Sequence, residues 1–146
     1  MKKNILVLNL YNKLVGFLIK RGKKNKAKFI VNKALLMVSK KTGYSSTFLV
    51  LKLFSTLNVF VEAKTIKVRN KSHVVPLSIG LKRRSYLVIK WLMQSILEND
   101  KKISMVKKVA YEIFRLIIKK KSKSLKLRKK NNELALSNRS NIHYRW

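Results

Sequence analysis

The stretch from Leu57 to Trp91 constrains the fold most, because here the apolar residues leave helical spacing and begin to alternate one by one. The alternation continues on both sides of a short polar break, Arg69 to Ser72, which favours two strands joined by a turn. The alternating positions are Val59, Val61 and Ala63 before the break and His73, Val75, Leu77 and Ile79 after it. This pattern predicts a β-hairpin over residues 59–79, with Asn70 in a left-handed backbone conformation at the turn. Pro76 cannot donate a ladder hydrogen bond, so its strand is expected to be an edge strand.

The predicted hairpin carries cations at its tip and along its arms. They are Lys64, Lys67, Arg69, Lys71 and, just beyond the second strand, Lys82. A two-stranded ribbon alone is marginally stable in water, and a cationic tip has no apolar reason to project from a folded body. The hairpin is therefore interpreted as a protruding arm that contacts an anionic partner.

Helical spacing of apolar residues resumes on both sides of the hairpin. It predicts six helices, at residues 5–20, 26–40, 46–57, 83–99, 104–119 and 129–144. Gly22 and Gly43 provide helix stops, one of Ser45, Ser46 and Thr47 provides the cap of the third helix, and Ser104 caps the fifth. The expected fold class is mainly α, a single domain over residues 1–146, with the hairpin between the third and fourth helices.

Residues 119–130 are rich in Lys and Arg, with Leu125 and Leu127 as the large apolar residues. Such a segment buries little surface, so it is predicted to be a linker that is either solvated or in contact with RNA. Trp91 lies on an apolar helical stripe and is predicted to belong to the core.

The charge balance indicates the class of partner. The chain has 36 Lys plus Arg against 5 Asp plus Glu, a net charge of +31, so ion pairs within the chain cannot neutralise it. Such a surface repels itself unless a polyanion supplies the missing charge, and nucleic acid is the leading candidate.

An enzyme is disfavoured by the residues present. There is no cysteine, and the five acidic residues are scattered, with Glu98 and Asp100 as the only near pair. These two are spaced i, i+2, which does not place them on one helical face. No P-loop or nucleophile triad is found, and His73 and His143 lack partners at metal or catalytic spacing. No catalytic residue, metal or cofactor is predicted.

A basic protein of membranes or DNA is the alternative. The first apolar run is interrupted by Asn9, Asn12 and Lys13, which favours an amphipathic core helix over a targeting or spanning segment. The cations are spread over loops, the hairpin and both ends rather than one helix face, and no helix-turn-helix is recognised.

Four blocks of sequence resemble one family, the small-subunit ribosomal protein S seven. They are Leu14 to Leu35 with GKKNKAKFIVNKAL, Val61 to Lys64 leading to Val75 to Leu77, the run RRSYLVIKW, and His143 to Trp146. Their order and spacing extend through most of the chain. The hairpin turn departs from the family pattern, because bacterial members usually carry Gly-Gly in this turn and this chain has Arg69-Asn70-Lys71-Ser72.

The resemblance implies a six-helix protein with a hairpin arm, a structural constituent of the small ribosomal subunit. It further implies a primary rRNA-binding protein that organises the head, the three-prime major domain, beside other small-subunit proteins. The mRNA exit channel and the exit-site tRNA would lie nearby, which makes mRNA and tRNA candidate partners of the hairpin. Lys outnumbers Arg, and both Asn and Ile are abundant, which is the composition that an AT-rich gene favours. The protein is therefore predicted to belong to an organellar ribosome, with the mitochondrion ahead of the plastid.

Cations on a fixed frame are the groups that bind phosphate, and A-form RNA is recognised by shape, phosphate and 2′-hydroxyl. Four groups of candidate rRNA-binding residues follow: Lys23, Lys24 and Lys26; Lys64, Lys67, Arg69 and Lys71; Lys82, Arg83 and Arg84; Arg139, Tyr144, Arg145 and Trp146. Arg83 and Arg84 begin a predicted helix, where the dipole disfavours cations unless a phosphate lies there. Any single lysine cluster could be an ordinary solvated face. Tyr144 and Trp146 either stack on bases or pack against the domain.

Overall fold

The computed structural model describes residues 2–98, 103–118 and 122–144. Helices dominate this part of the chain, and an antiparallel ribbon separates the third helix from the fourth. In chain order the elements are α1 (Lys2–Leu18), α2 (Lys24–Thr42), α3 (Ser46–Leu57), β1 (Val61–Val68), β2 (Lys71–Ser78), α4 (Leu81–Glu98), α5 (Met105–Ile117), α6 (Lys123–Ser137) and a terminal 3₁₀ helix η1 (Arg139–Tyr144). The predicted fold class is confirmed.

The main core forms where the apolar stripes of α1 to α5 meet. Its fully buried side chains include Leu49, Ile89, Leu92, Ile113 and Leu116. Burying a side chain of this size stabilises the fold by about 1.5–3 kcal/mol relative to exposure. The stripes predicted for the helices on either side of the ribbon are therefore the surfaces that hold the body together.

A smaller apolar cluster joins the ribbon to this body. Trp91 packs there with Val59 and Leu87, and Ile79 and Leu127 lie against them. Only 8% of Trp91 is exposed, so the prediction that it belongs to the core is confirmed. The cluster places both ends of the ribbon on α4.

Helix ends follow the local sequence in most places. Gly43 is left-handed with φ 73° and its amide donates to the Ser39 carbonyl at 2.8 Å, which ends α2. The Ser45 hydroxyl accepts the Phe48 amide at 3.4 Å and caps α3. Ser104 stands at the N-cap position of α5, but its side chain makes no capping hydrogen bond, so the prediction of a side-chain cap there is wrong.

The hairpin register runs from Val61 opposite Ser78 to Val68 opposite Lys71, which leaves a two-residue loop. Arg69, with φ 53°, takes the left-handed conformation, whereas Asn70 does not, so that detail of the prediction is wrong. The strand register determines which residue takes the left-handed conformation. The pairing of Val68 with Lys71 makes Arg69 the first residue of the loop. That position needs a positive φ in the turns typical of two-residue hairpin loops.

The predicted linker is wrong for its described part. Residues 119–121 lie outside the described residues, as does Asn99 at the predicted end of the fourth helix. From Lys123 onward the chain is helical, because Leu125 packs on the main core and Leu127 on the Trp91 cluster. Two serines, Ser122 and Ser124, also donate to the buried Glu112 carboxylate. The sixth helix ends at Ser137, and a 3₁₀ helix continues to Tyr144.

Candidate RNA interface

The root of the ribbon is fixed to the first turn of α4 by an ion pair. Arg83 donates through Nε and Nη2 to the two carboxylate oxygens of Glu62, at 2.9 and 2.7 Å. The hydrogen bond from Arg83 holds the pKa of Glu62 below its usual range, and the same bond raises the pKa of Arg83. A planar guanidinium that meets a carboxylate at two points fixes orientation as well as distance.

Arg84 makes a second attachment at the same place. Its Nε donates to the Ile79 carbonyl at 2.9 Å, and its guanidinium lies over the Phe60 ring at 4.3 Å. Both arginines predicted to meet phosphate therefore have partners within the chain. Their position at a helix start, which the dipole disfavours, is accounted for by these contacts.

The ribbon edges are covered by side chains of the C-terminal segment. The Asn131 amide donates to the Val61 carbonyl at 2.8 Å and accepts from the Ala63 amide at 3.2 Å, as a neighbouring strand would. Asn141 donates to the Val74 carbonyl at 3.0 Å on the other strand. Uncovered strand edges invite pairing with other chains, so these asparagines stabilise the ribbon in place of further strands.

The terminal 3₁₀ helix lies against the second strand. The Tyr144 ring stacks on His73 with centroids 4.4 Å apart, so one face of the predicted base-stacking residue is occupied by the protein. Arg139 is exposed at the start of η1. Arg145 and Trp146, the two other candidates at this end, lie outside the described residues.

The cations of the ribbon are exposed but do not share one face. Side chains alternate along a strand, so Lys64 projects from one face and Lys67 from the other. The pairing of Lys71 with Val68 places Lys71 on the Lys64 face, while Arg69 occupies the tip. The ribbon therefore presents positive charge on both sides and at its end.

A further cationic group stands at the start of α2. Lys23, Lys24 and Lys26 are all exposed, and no acidic residue lies in the first helical turn. Arg21 and Gly22, with φ 52° and 71°, form the left-handed turn that reverses the chain after α1. Three ammonium groups beside a helix N-terminus produce a local field that attracts anions.

Between α1 and α4 lies an open groove of about 1000 Å³ that was not predicted from the sequence. Its lining residues are Asn9, Asn12, Lys13, Gly16, Phe17, Lys82 and Tyr86. The rings of Phe17 and Tyr86 are 5.5 Å apart, and Arg83 lies over Tyr86 at 5.0 Å. The polar interruptions of the first apolar run, at positions 9, 12 and 13, are the signal that could have indicated it. The groove brings Lys82 together with amides and aromatic rings.

Acidic side chains are scarce in the part of the chain that the structure describes. Ion pairs in the described part of the chain join Glu62 to Arg83, Glu98 to Lys123 and Glu133 to Lys129. With 36 cationic and 5 acidic residues, most cations have no carboxylate partner. The described residues include no group of three or more His, Cys, Asp or Glu able to hold a metal. None of the described helices has the length and apolar character needed to span a membrane.

Comparison with known sequences gives one consistent result. The model of a family described as "Ribosomal protein S7p/S5e" matches residues 2–139. A protein named small ribosomal subunit protein uS7 from Blochmanniella floridana is 31% identical over 140 residues, 94% of this chain and 87% of the relative. Proteins of the same name from Geobacter metallireducens and Clostridioides difficile are 29% and 30% identical over 134 residues, in each case 92% of this chain and 85% of the relative.

Proposed function

Because the chain belongs to the ribosomal protein S7p/S5e family, we propose that it acts as a structural, RNA-binding component of the small ribosomal subunit. The family match over residues 2–139 is the observation that carries this conclusion. The chain is a ribosomal protein and not an enzyme, and its partners are small-subunit rRNA and neighbouring ribosomal proteins. The alternative of a basic protein that works outside the ribosome is not favoured.

The proposed rRNA surface combines the exposed cations at the start of α2, along the ribbon and beside the α1–α4 groove. Lys23, Lys24 and Lys26 would neutralise phosphates at one place, and Lys64, Lys67, Arg69 and Lys71 at another. Lys82 would act with Lys13 at the mouth of the groove. These cations should be held at fixed distances from one another, because an A-form helix is recognised by the spacing of its phosphates rather than by base edges in its major groove.

Arg83 and Arg84 contribute to this surface in a second way. Their contacts with Glu62, Ile79 and Phe60 hold the ribbon at a defined angle to α4. Side chains that fix the angle between two cationic groups reduce the entropy lost on binding, as preorganisation generally does. We assign Arg139 and Tyr144 to the margin of the surface, where the C-terminal segment covers the ribbon. Arg145 and Trp146, which lie outside the described residues, remain predicted rRNA-binding residues.

The head of the subunit is the proposed location, and the ribbon tip is proposed to approach mRNA and exit-site tRNA. Arg69 at the loop and Lys71 beside it supply the charge for such a contact. An organellar ribosome, mitochondrial rather than plastid, is proposed from the Lys-, Asn- and Ile-rich composition. Sedimentation of the endogenous protein with purified organellar subunits tests this location, and its recovery only in another compartment contradicts it.

The test of RNA binding compares two fragments of one small-subunit rRNA, the head domain and an equally long fragment from another domain. The full chain should bind the head fragment more tightly, and log K should fall linearly with log salt because counterions are released. Equal affinity for both fragments would indicate general polycation binding instead. A flat salt dependence would exclude phosphate neutralisation.

A further inference from the structure

A second groove lies between the C-terminal half of α2 and one side of α5, with a volume of about 680 Å³. Its floor is apolar and includes Met37, Val38, Ala110 and Phe114. Met37 and Tyr111 are 37% and 52% exposed, and Ile103 at one end is 44% exposed. Exposed apolar side chains gathered in a concave site, rather than scattered, are typical of a binding surface.

Cations surround this apolar floor. Lys40 and Lys41 lie on the α2 side, and Lys107, Lys108 and Arg115 lie on the α5 side. No acidic residue is found among the described residues that line the groove. The surface is therefore complementary to a ligand with apolar groups in its middle and carboxylates at its margins.

The aromatic rings of the groove are poorly suited to stacking with bases. The Arg115 guanidinium lies over the Tyr111 ring at 4.2 Å and donates to its hydroxyl at 2.8 Å. The Lys41 ammonium lies over the Phe114 ring at 5.8 Å. One face of each ring is thus covered by the chain's own cation, and the remaining floor is mostly aliphatic. Aliphatic contacts suit Leu, Ile or Val side chains better than nucleotides.

The groove also lies apart from the proposed RNA surface. Lys40 is 16 residues beyond Lys24 on the same helix, which corresponds to about 24 Å along its axis. Helix α5 packs on α2, α3 and α4 rather than on the ribbon. A ligand in this groove would therefore leave Lys23, Lys24 and Lys26 at the start of α2 available to bind RNA.

We propose that the α2–α5 groove binds an acidic, amphipathic helical segment of another protein. The lining residues of α5 run from Lys107 to Arg115, about 12 Å, which matches two turns of a docked helix. Apolar side chains at i, i+3, i+4 and i+7 of that segment would contact the floor, and its Glu or Asp residues would pair with the surrounding lysines. The inference does not depend on RNA binding.

The test measures fluorescence anisotropy of a labelled peptide of about 16 residues, with Leu at those four positions and Glu elsewhere on its surface. The full chain is used at about 0.3 M KCl to weaken non-specific attraction. The double variant Met37→Gln, Tyr111→Gln should raise the peptide Kd about tenfold or more, as loss of a central apolar side chain commonly does. Its affinity for the head rRNA fragment should stay unchanged.

The matched control is Phe29→Gln with Leu36→Gln. These side chains are also exposed and apolar on α2, at 62% and 58%, but they lie outside the groove lining. The control should bind the peptide like the unmodified chain. Equal binding by all three proteins, or equal binding of a peptide with the same residues in scrambled order, would overturn the proposal. A U-rich RNA oligonucleotide whose binding depends on Met37 and Tyr111 would also overturn it, in favour of an RNA site.

Discussion

The Glu112 carboxylate, buried in the middle of α5, accepts a hydrogen bond at 2.7 Å from the equally buried hydroxyl of Ser124 in the first turn of α6. Ser122 donates to the same oxygen at 2.5 Å, and the two serine hydroxyls are 2.6 Å apart. Burying a carboxylate lowers the stability of the fold unless hydrogen-bond donors contact its oxygens. This cluster therefore fixes the start of α6 against the core.

Replacing Ser124 by alanine should lower the free energy of unfolding by about 1–3 kcal/mol, because the buried carboxylate loses a donor. Urea unfolding followed by circular dichroism measures this. Ser55→Ala, at an exposed serine of α3, is the control and should change stability by less than about 0.5 kcal/mol. Equal effects of the two substitutions would contradict the role given to Glu112.

The Glu62–Arg83 pair should make the ribbon attachment sensitive to acid. The pKa of Glu62 is lower in the folded than in the unfolded chain, so the pair stabilises the fold above the unfolded value of about 4.3. That contribution is lost as the pH falls through the lower, folded pKa. Unmodified protein should unfold at higher urea than Glu62→Gln near pH 6, and the difference between the two midpoints should shrink as the pH falls below the unfolded pKa of about 4.3. A gap that persists at the acidic end would contradict this assignment.

The lysines at the start of α2 should determine part of the salt dependence of RNA binding. Changing Lys23, Lys24 and Lys26 to Gln should reduce the slope of log K against log salt by about 0.9 for each phosphate that is no longer neutralised. Nitrocellulose filter binding with the head fragment at several salt concentrations gives the slope. The same three-charge change at Lys33, Lys40 and Lys107, away from the proposed surface, should leave the slope nearly unchanged. A similar reduction in both triple variants would mean that only total charge matters.

Asn131 should protect the edge of the first strand. In Asn131→Ala both hydrogen bonds to the strand are removed, each contributing about 0.5–1.5 kcal/mol, so the Ala63 amide should exchange with solvent faster. Hydrogen exchange followed by NMR measures this directly. The neighbouring Asn132 is exposed, so Asn132→Ala should not change the exchange rate. If the Ala63 amide exchanges no faster in Asn131→Ala, then Asn131 does not protect the edge of the first strand.

The sequence predicted those parts of the fold that depend on the period of apolar residues. The alternation around Val61 and Val75 and the stripe through Trp91 were enough to identify the ribbon and α4. The first half of α6 was missed because lysines dominate its composition, while two leucines and two serines determine its packing. Hydrogen-bond partners outside one regular element, such as Glu112 in α5 and Ser122 just before α6, leave no periodic signal.

The residues of the candidate site also differ in whether the sequence alone could identify them. Exposed lysines could be identified from charge alone, because they need no specific partner. The pairing of Arg83 with Glu62 could not, since it depends on how the ribbon lies against α4. Asn9, Asn12 and Lys13 were visible as polar interruptions, but their role in a groove depends on Lys82 and Tyr86 arriving from another helix.

The asparagine that covers the first strand comes late in the chain, 68 and 70 residues after the strand atoms it contacts. During synthesis both strands therefore leave the ribosome before Asn131 does, and the outer edge of the first strand stays uncovered until then. The ribbon acquires these contacts only after α6 has been synthesised. A nascent chain that stops before α6 thus lacks the hydrogen bonds that cover this strand edge.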